Sequence, residues 1–173
     1  MTRELAQVET PIGAFRAVVI DGSVPTAAFV GPRGTPGDMR DSSGVHDALA
    51  AYFAGDIDAL DAIRVAPVGT VFKQLVWKEL RLVRAGETVS YGELAARVGA
   101  PGAARAVGTA NATNPVCLVI PCHRVIRTGG GLGGYAFGLD RKRWLIDHEA
   151  KPSGLFADAT SANSLPGGAT ASR

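Results

Sequence analysis

A thiol and an imidazole stand side by side in the most informative segment of the chain, residues 121–125, which read Pro-Cys-His-Arg-Val. Cys122 is one of only two cysteines, and its thiolate form would be a strong nucleophile that a free thiol populates sparsely at neutral pH. His123 is of the residue type best suited to remove the thiol proton. Adjacent side chains on an extended segment point to opposite faces, so a turn or a bridging water is needed to join them.

The same segment is a poor candidate for a metal site. Cys117, Cys122 and His123 supply three ligands, whereas a structural zinc site needs four. Two cysteines this close in sequence also make no disulfide framework. The sequence therefore predicts no metal and no cofactor.

Charge is distributed unevenly along the chain. The net charge is only +2, yet residues 1–70 hold 5 basic and 9 acidic residues, and residues 71–150 hold 11 basic and 6 acidic residues. A basic second half predicts contact with a polyanion, with solvated surface charge as the simpler alternative. Apolar stretches far shorter than a membrane span, and a charged start without a signal-peptide core, predict a cytoplasmic protein with no membrane partner.

The 173 residues, 46% of them apolar, suffice for one or two small domains. Residues 1–68 are predicted to form an N-terminal α/β domain. Its predicted elements are strands at 14–20 and 27–30 around the turn-prone pair Asp21-Gly22, a loop at 31–43, a helix at 46–54 that ends at Gly55, and a linker at 67–69.

Residues 69–150 are predicted to form a second, mostly helical domain. Thr70 fits the N-cap of a first helix. Its apolar residues recur at helical spacing: Phe72, Leu75, Val76, Leu80 and Val83. Beyond this domain, residues 151–173 are mostly Ala, Ser, Gly and Thr and are predicted to be a flexible tail.

The stretch 90–111 has the outline of a helix-turn-helix. Ser90 and Glu93 fit a capping box that opens a helix running to about residue 98, and Gly99 ends it. Pro101 suits the first turn of a second helix, which would carry Arg105 outward. Many helical hairpins bind nothing, so this outline alone leaves a nucleic-acid partner open.

Together these residues resemble the methylated-DNA–protein-cysteine methyltransferase family, which repairs O6-alkylguanine. The likeness is strongest over 72–149, where Pro-Cys-His-Arg-Val follows Asn114-Pro115 and an apolar strand at 116–120, and a weaker match is the Thr-Pro-Ile-Gly start at 10–13. It implies an α+β fold, with a small N-terminal ribonuclease-H-like α/β domain and a C-terminal domain whose helix-turn-helix is winged-helix-like. It also implies binding of double-stranded DNA through the minor groove, with the damaged nucleotide flipped into a pocket.

The resemblance also implies catalytic roles. Cys122 would be the alkyl acceptor, His123 the base acting through water, and Glu149 the acid that polarises the imidazole. Asn114 would hold the turn between the recognition helix and the active-site strand.

Contacts to DNA and to the base are implied as well. Arg105 would fill the stack left by the extruded base, and Tyr91 would turn the phosphate and bond the flipped guanine. The remaining expected contacts are the carbonyls of Cys122 and Val125 for the guanine amino group, a backbone N–H of Tyr135–Ala136 for O6, Lys142 near the pocket, and Arg124 among the basic residues that face phosphates. Arg141 and Arg143 are instead predicted to lie on a solvated helix face.

Two departures from the family pattern limit these implications. Phe137 stands where relatives often have a small residue, and an aromatic ring there would narrow the pocket against bulky adducts. The N-terminal domain also lacks the cysteines and histidines that form a structural zinc site in some relatives.

The predicted activity is a single, irreversible transfer of the alkyl group from O6-alkylguanine in DNA to Cys122, with O4-alkylthymine as a second candidate substrate. The alternatives are a non-catalytic sensor of alkylated DNA, against which Cys122 argues, a helix-turn-helix regulator, and a cysteine hydrolase. No obligatory protein partner is predicted. Adduct size and cooperative assembly on DNA are left open.

Overall fold

The computed structural model describes residues 1–30 and 44–150 and has a mixed α+β architecture. The strands are β1 (Arg3–Val8), β2 (Phe15–Ile20), β3 (Ser23–Phe29), β4 (Val89–Ser90) and β5 (Val125–Ile126). The helices are α1 (Val45–Ala54), α2 (Val71–Leu80), α3 (Tyr91–Arg97), α4 (Ala104–Ala112) and α5 (Leu139–Ala150), with 3₁₀ turns at Ala59–Ala62 and Cys122–Arg124. The predicted loop at 31–43 and the predicted tail at 151–173 lie outside the described residues.

Strands β1, β2 and β3 form an antiparallel sheet in chain order. Their side chains alternate between the core and the surface, as pleated strands with one covered face require. The β2–β3 connection is Asp21-Gly22, and both residues have positive φ angles, 48° and 74°, which is the conformation of a tight hairpin turn. The sequence located β2 but did not predict β1, and it began β3 too late.

The first two helices follow their local signals. Helix α1 ends at Gly55, whose φ of 116° suits glycine. Helix α2 begins after Thr70, whose side chain accepts a hydrogen bond from the backbone N–H of Lys73. The predicted apolar face of α2 is partly wrong, because Leu75 is 48% exposed. Trp77 is buried instead, and its indole N–H donates to the Ala110 carbonyl at 2.8 Å.

The predicted capping box is confirmed at the start of α3. Ser90 accepts from the Glu93 backbone N–H, and the Glu93 carboxylate accepts from the Ser90 backbone N–H. The second helix of the pair begins later than predicted: Pro101 lies in a turn before α4. The apolar run at 116–120 is buried but is not a strand, because Leu118 adopts a φ of 71° and reverses the chain.

The sheet and the helices share one hydrophobic core. The backbone ties them together at β3, where the Ala27 N–H donates to the Pro115 carbonyl and the Cys117 N–H donates to the Ala27 carbonyl, both at 2.9 Å. The boundary between residues 68 and 69 stays a prediction. Within the described ranges, no helix combines the length and the apolar character that crossing a membrane would require.

Candidate active site

The thiol segment is held in place by Asn114. The Asn114 side-chain amide donates to the Ile120 carbonyl at 2.8 Å, and its oxygen accepts from the Val116 N–H at 3.0 Å. These two bonds clamp both ends of the buried run 116–120. Asn114 thus lies where a residue that holds the turn is expected, and its part in the reaction stays a prediction.

Cys122 opens the 3₁₀ turn at Cys122–Arg124 and lines a cleft of about 280 Å³. The thiol residue is only 5% exposed. Other walls of the cleft come from α3, from α4 and the segment that follows it, and from the loop after β5. They include Tyr91, Asn111, Asn114, Tyr135, Ala136 and Phe137. Small reactants could therefore reach the sulfur while bulk water is largely excluded.

The environment of Cys122 favours the thiolate. A hydrogen bond from the Cys117 thiol is the largest influence and lowers the pKa of Cys122, whereas burial opposes it. The Asn114 side chain and the positive charge of Lys142 lower this pKa further. The net direction is downward, so Cys122 ionises more readily than a free cysteine.

His123 is fully buried and pairs with Glu149. Its Nε2 lies 2.8 Å from Glu149 Oε1. A carboxylate only accepts hydrogen bonds, so Nε2 carries the proton and Nδ1 keeps the lone pair. Burial lowers the pKa of His123, although the Glu149 charge opposes this, and the imidazole is neutral at pH 7. Nδ1 has no hydrogen-bond partner among the described residues, so it is available as a base for a water-mediated proton transfer.

Glu149 is the centre of a buried ion-pair network. Arg124 donates from Nε to Oε2 at 2.8 Å and from Nη2 to Oε1 at 2.9 Å. Burial by itself raises the pKa of Glu149, but His123 and Arg124 together hold this pKa below its ordinary value. The carboxylate is therefore charged when it orients the imidazole.

The expectation that Arg124 faces DNA phosphates is wrong. Arg124 is 5% exposed, and its third contact is with the Val83 carbonyl, to which Nη1 donates at 2.6 Å. A buried carboxylate without a paired cation would be costly, which explains why this basic side chain turns inward. Arg124 positions Glu149.

Tyr52 of α1 completes this network and was not predicted from the sequence. Its buried hydroxyl donates to Glu149 Oε1 at 2.7 Å. Its carbonyl accepts from His148 Nε2 at 2.7 Å, and its ring contacts the His148 ring with centroids 5.2 Å apart. The N-terminal half thus supplies one of the donors that hold the carboxylate.

Tyr91 and Arg105 lie on the two helices beside the cleft. Tyr91 begins α3 and is half-buried, and burial raises the pKa of its phenol, which remains a donor at neutral pH. Asn111 of α4, another residue not predicted from the sequence, lines the cleft with Tyr91 and donates from Nδ2 to the Cys122 carbonyl at 3.2 Å. Arg105 is exposed in the first turn of α4.

Lys142 anchors the glycine-rich loop that forms one wall of the cleft. Its buried ammonium donates to the carbonyls of Val125 at 2.6 Å, Gly134 at 3.1 Å and Leu132. Burial lowers the pKa of Lys142 to about 8. Of the two carbonyls expected to bind guanine, that of Cys122 already accepts from Asn111 Nδ2 and from the Val125 N–H, and that of Val125 accepts from Lys142. Their role in binding guanine stays a prediction.

Phe137 and Arg141 join this wall to the sheet. The Phe137 ring lies 5.7 Å from the Phe29 ring and 5.8 Å from the Tyr135 ring. Arg141 donates from Nε to the Ile12 carbonyl at 2.7 Å and from Nη1 to the Phe137 carbonyl at 3.0 Å, and its guanidinium lies over the Phe29 ring. The prediction of a solvated Arg141 is therefore wrong. Arg143 is exposed, as predicted.

Comparison with known proteins decides the family. Residues 71–151 match the family model described as 6-O-methylguanine DNA methyltransferase, DNA binding domain. A methylated-DNA–protein-cysteine methyltransferase of Mycolicibacterium paratuberculosis is 41% identical over 156 residues, which cover 87% of this chain and 94% of the relative. This chain belongs to the methylated-DNA–protein-cysteine methyltransferase family.

Other members of the family show how far the likeness extends. The methylated-DNA–protein-cysteine methyltransferase of Salmonella typhimurium is 52% identical over 106 residues, or 61% of this chain. That match spans 62% of the relative's length, which is less than two thirds. The solved structure of Mycobacterium tuberculosis OGT in complex with DNA is 39% identical, with a TM-score of 0.73 over 84% of this chain and 92% of that chain.

Within this family member, the predicted residues form three groups, and Arg105 lies apart from them. Cys122 and the pair of His123 and Glu149 converge on the 3₁₀ turn. The predicted cleft residues Tyr91, Asn114, Tyr135 and Ala136 line one cavity with Cys122. The buried side chains of Arg124 and Lys142 bind other parts of the protein, and Val125 is buried with its carbonyl bonded to Lys142. These residues position the site, while Arg105 remains on the surface.

Proposed function

We propose that this protein repairs alkylated DNA by transferring the alkyl group from O6 of guanine to the sulfur of Cys122. The observation that carries the proposal is the cleft-lining thiol with a lowered pKa, followed in the same turn by a buried His123–Glu149 pair. The family to which the chain belongs supports this chemistry. O4-alkylthymine is a second candidate substrate.

The transfer is a single displacement at carbon. His123 Nδ1 takes the Cys122 proton through a water molecule, and the thiolate attacks the alkyl carbon in line with the bond to O6. The carbon–oxygen bond breaks and its electron pair goes to the guanine. The guanine anion then takes up one proton, which balances the one that His123 removed from Cys122 and returns through water. Donors that line the cleft, including the Tyr135–Ala136 backbone, would stabilise the developing charge. The product on the protein is an S-alkyl thioether.

Double-stranded DNA is the proposed partner. The basic excess of residues 71–150, the α3–α4 helix pair and the exposed Arg105 support it, as does the solved complex of the Mycobacterium tuberculosis relative with DNA. The sulfur lies inside a cleft, so the damaged base has to leave the duplex to reach it. Arg105 is proposed to fill the vacated stack, and Tyr91 to contact the flipped nucleotide.

The finer description of the fold and the location in the cell also belong to this proposal. The β1–β2–β3 meander followed by α1 fits a small ribonuclease-H-like unit, and the α3–α4 pair with the short β4–β5 ladder fits a winged-helix-like unit. Both cysteines are free thiols, and an acceptor that must stay reduced suits the cytoplasm.

The deciding experiment measures stoichiometry and the site of modification. We expect excess duplex with one O6-methylguanine to transfer at most one methyl group per protein molecule, because a thioether sulfur is a poor leaving group. Fragmentation of the 116–125 region by mass spectrometry should place that methyl on Cys122. Cys122→Ala should bind the lesion duplex and repair none. Sustained turnover, or repair by Cys122→Ala, would overturn the proposal.

A further inference from the structure

A second thiol lies beside the acceptor, and none of the steps of the transfer described above is assigned to it. Cys117 is 1% exposed, and its thiol interacts with the Cys122 thiol. Its Sγ also lies 3.2 Å from the hydroxyl of Tyr135. Tyr135 and Cys122 both line the cleft. The side chains of Tyr135, Cys117 and Cys122 therefore form a series of polar groups that ends at the reacting sulfur.

The backbone fixes this arrangement. The Cys117 N–H donates to the Ala27 carbonyl of β3, which holds Cys117 against the sheet. The chain then reverses at Leu118, where φ is 71°, and pairs Cys117 with Ile120. The turn brings the backbone back toward Cys117 before Cys122, so the fold places the two thiols near each other.

We propose that Cys117 is a positioning residue for the transfer: its thiol donates a hydrogen bond to the Cys122 sulfur, while the Tyr135 hydroxyl donates to the Cys117 sulfur. The proposal rests on the proposed function, because it assigns Cys117 to that same reaction.

The protonation of the three side chains supports this direction of donation. Burial raises the pKa of Cys117 well above its ordinary value, and the neighbouring Cys122 raises it further, so Cys117 keeps its proton. Burial likewise raises the pKa of Tyr135, which remains a donor. Of these three side chains, only Cys122 has a lowered pKa, and its interaction with Cys117 is the largest cause. Cys122 is therefore the final acceptor in the series.

Other groups also act on the Cys122 sulfur. Lys142 of α5 supplies positive charge, and the Asn114 side chain supplies a hydrogen bond. Tyr91 of α3 and Tyr135 of the loop face it as neutral phenols, and His123, next in the chain, is neutral at pH 7. These groups persist when Cys117 is changed. Because a thiol is a weak donor, we expect loss of Cys117 alone to raise the pKa of Cys122 by about one unit, roughly a tenfold loss of thiolate below that pKa.

The test measures the ionisation of Cys122 without DNA. Full-length parent, Cys117→Ala and Cys117→Ser proteins are alkylated with iodoacetamide across a pH series, with mass spectrometry assigning the label to Cys122. We expect Cys117→Ala to raise the apparent pKa by about one unit and Cys117→Ser, which keeps a donor, to raise it less. Single-turnover methyl transfer should be slowed in Cys117→Ala at neutral pH and should approach the parent rate once Cys122 is ionised in both proteins.

The outcomes separate this proposal from the proposed function. An unchanged pKa in Cys117→Ala, or a rate deficit that persists undiminished at high pH, would show a packing role and overturn the inference. If Cys117→Ala does not fold, Tyr135→Phe provides the same test, because it removes the hydroxyl that donates to Cys117. A Cys122 pKa that does not rise in Tyr135→Phe would overturn the inference. If the thiol pKa depends on Cys117 but the parent transfers no methyl group, the proposed function fails and the thiol pairing stands.

Discussion

Replacing Tyr52 by phenylalanine would remove a single oxygen from the network behind His123. The hydroxyl donates at 2.7 Å to Glu149 Oε1, the same oxygen that pairs with His123 Nε2. The phenylalanine ring keeps the edge contacts with Phe53 and His148, each with centroids 5.2 Å apart. The backbone carbonyl that accepts from His148 is also retained. The substitution thus isolates one hydrogen bond.

Two effects follow from that loss. A buried hydrogen bond to a charged group contributes about 1.5–3 kcal/mol, so the free energy of unfolding should fall by about that amount. For a chain of this size the midpoint of thermal unfolding should fall by roughly 3 to 12 °C. With one donor fewer, the negative charge of Glu149 Oε1 is less neutralised and stabilises the protonated form of His123 more strongly. The pKa of His123 should therefore rise. Its base form then disappears at a higher pH, so the acid limb of the transfer rate should move upward in pH.

Chemical denaturation and single-turnover methyl transfer across the acid-to-neutral range measure the two effects. Arg81→Met is the matched control, because Arg81 donates to the Ile63 carbonyl at 2.7 Å and the Asp61 carbonyl at 3.0 Å without contacting Glu149. It should lose stability and keep the parent pH profile. A Tyr52→Phe protein with the parent pH profile, or an equal shift in Arg81→Met, would refute the reasoning.

Three further outcomes are expected. Arg105→Ala should slow repair of duplex DNA much more than reaction with a free alkylated base, because only the duplex needs extrusion, which costs a few kcal/mol; equal losses in the two rate assays would remove Arg105 from that role. Phe137→Gly should speed reaction with benzyl-sized adducts and change methyl transfer little, and unchanged benzyl rates would contradict this. Because the Phe137 ring packs on Phe29, the same substitution should lower the free energy of unfolding by roughly 1–3 kcal/mol. Duplex binding, measured by fluorescence anisotropy, should weaken linearly in log affinity against log salt, with a shallow slope set by exposed residues such as Arg105 and Arg127; salt-independent binding would remove residues 71–150 as the DNA surface.

Features with partners close in sequence could be predicted. The caps at Thr70 and Ser90 bond to backbone N–H groups three residues later, and Gly55 ends α1 through its own φ angle. The chemistry available to a thiol and an imidazole also follows from the residue types of Cys122 and His123, whatever the fold. In each case the decisive interaction is contained in a few consecutive residues.

The misplaced residues have partners far away in sequence. Arg124 pairs with Glu149, 25 residues on, and Arg141 donates to Ile12 across 129 residues. A basic side chain is usually exposed, and nothing local to either arginine indicates the buried carboxylate or the carbonyl that it meets. Leu118 is a similar case, since an apolar run gives no sign of its φ of 71°.

The N-terminal half contributes to the site at each of its functional parts. Tyr52 holds the carboxylate that orients His123, Phe29 packs on the cleft wall at Phe137, and Ala27 fixes the backbone of Cys117. None of these three residues lines the cleft with Cys122, so the N-terminal half reaches the site through Glu149, Phe137 and Cys117. A fragment limited to residues 69–150 would contain the thiol, the imidazole and the carboxylate. It would still lack the hydroxyl, the ring and the carbonyl that hold them in their working arrangement.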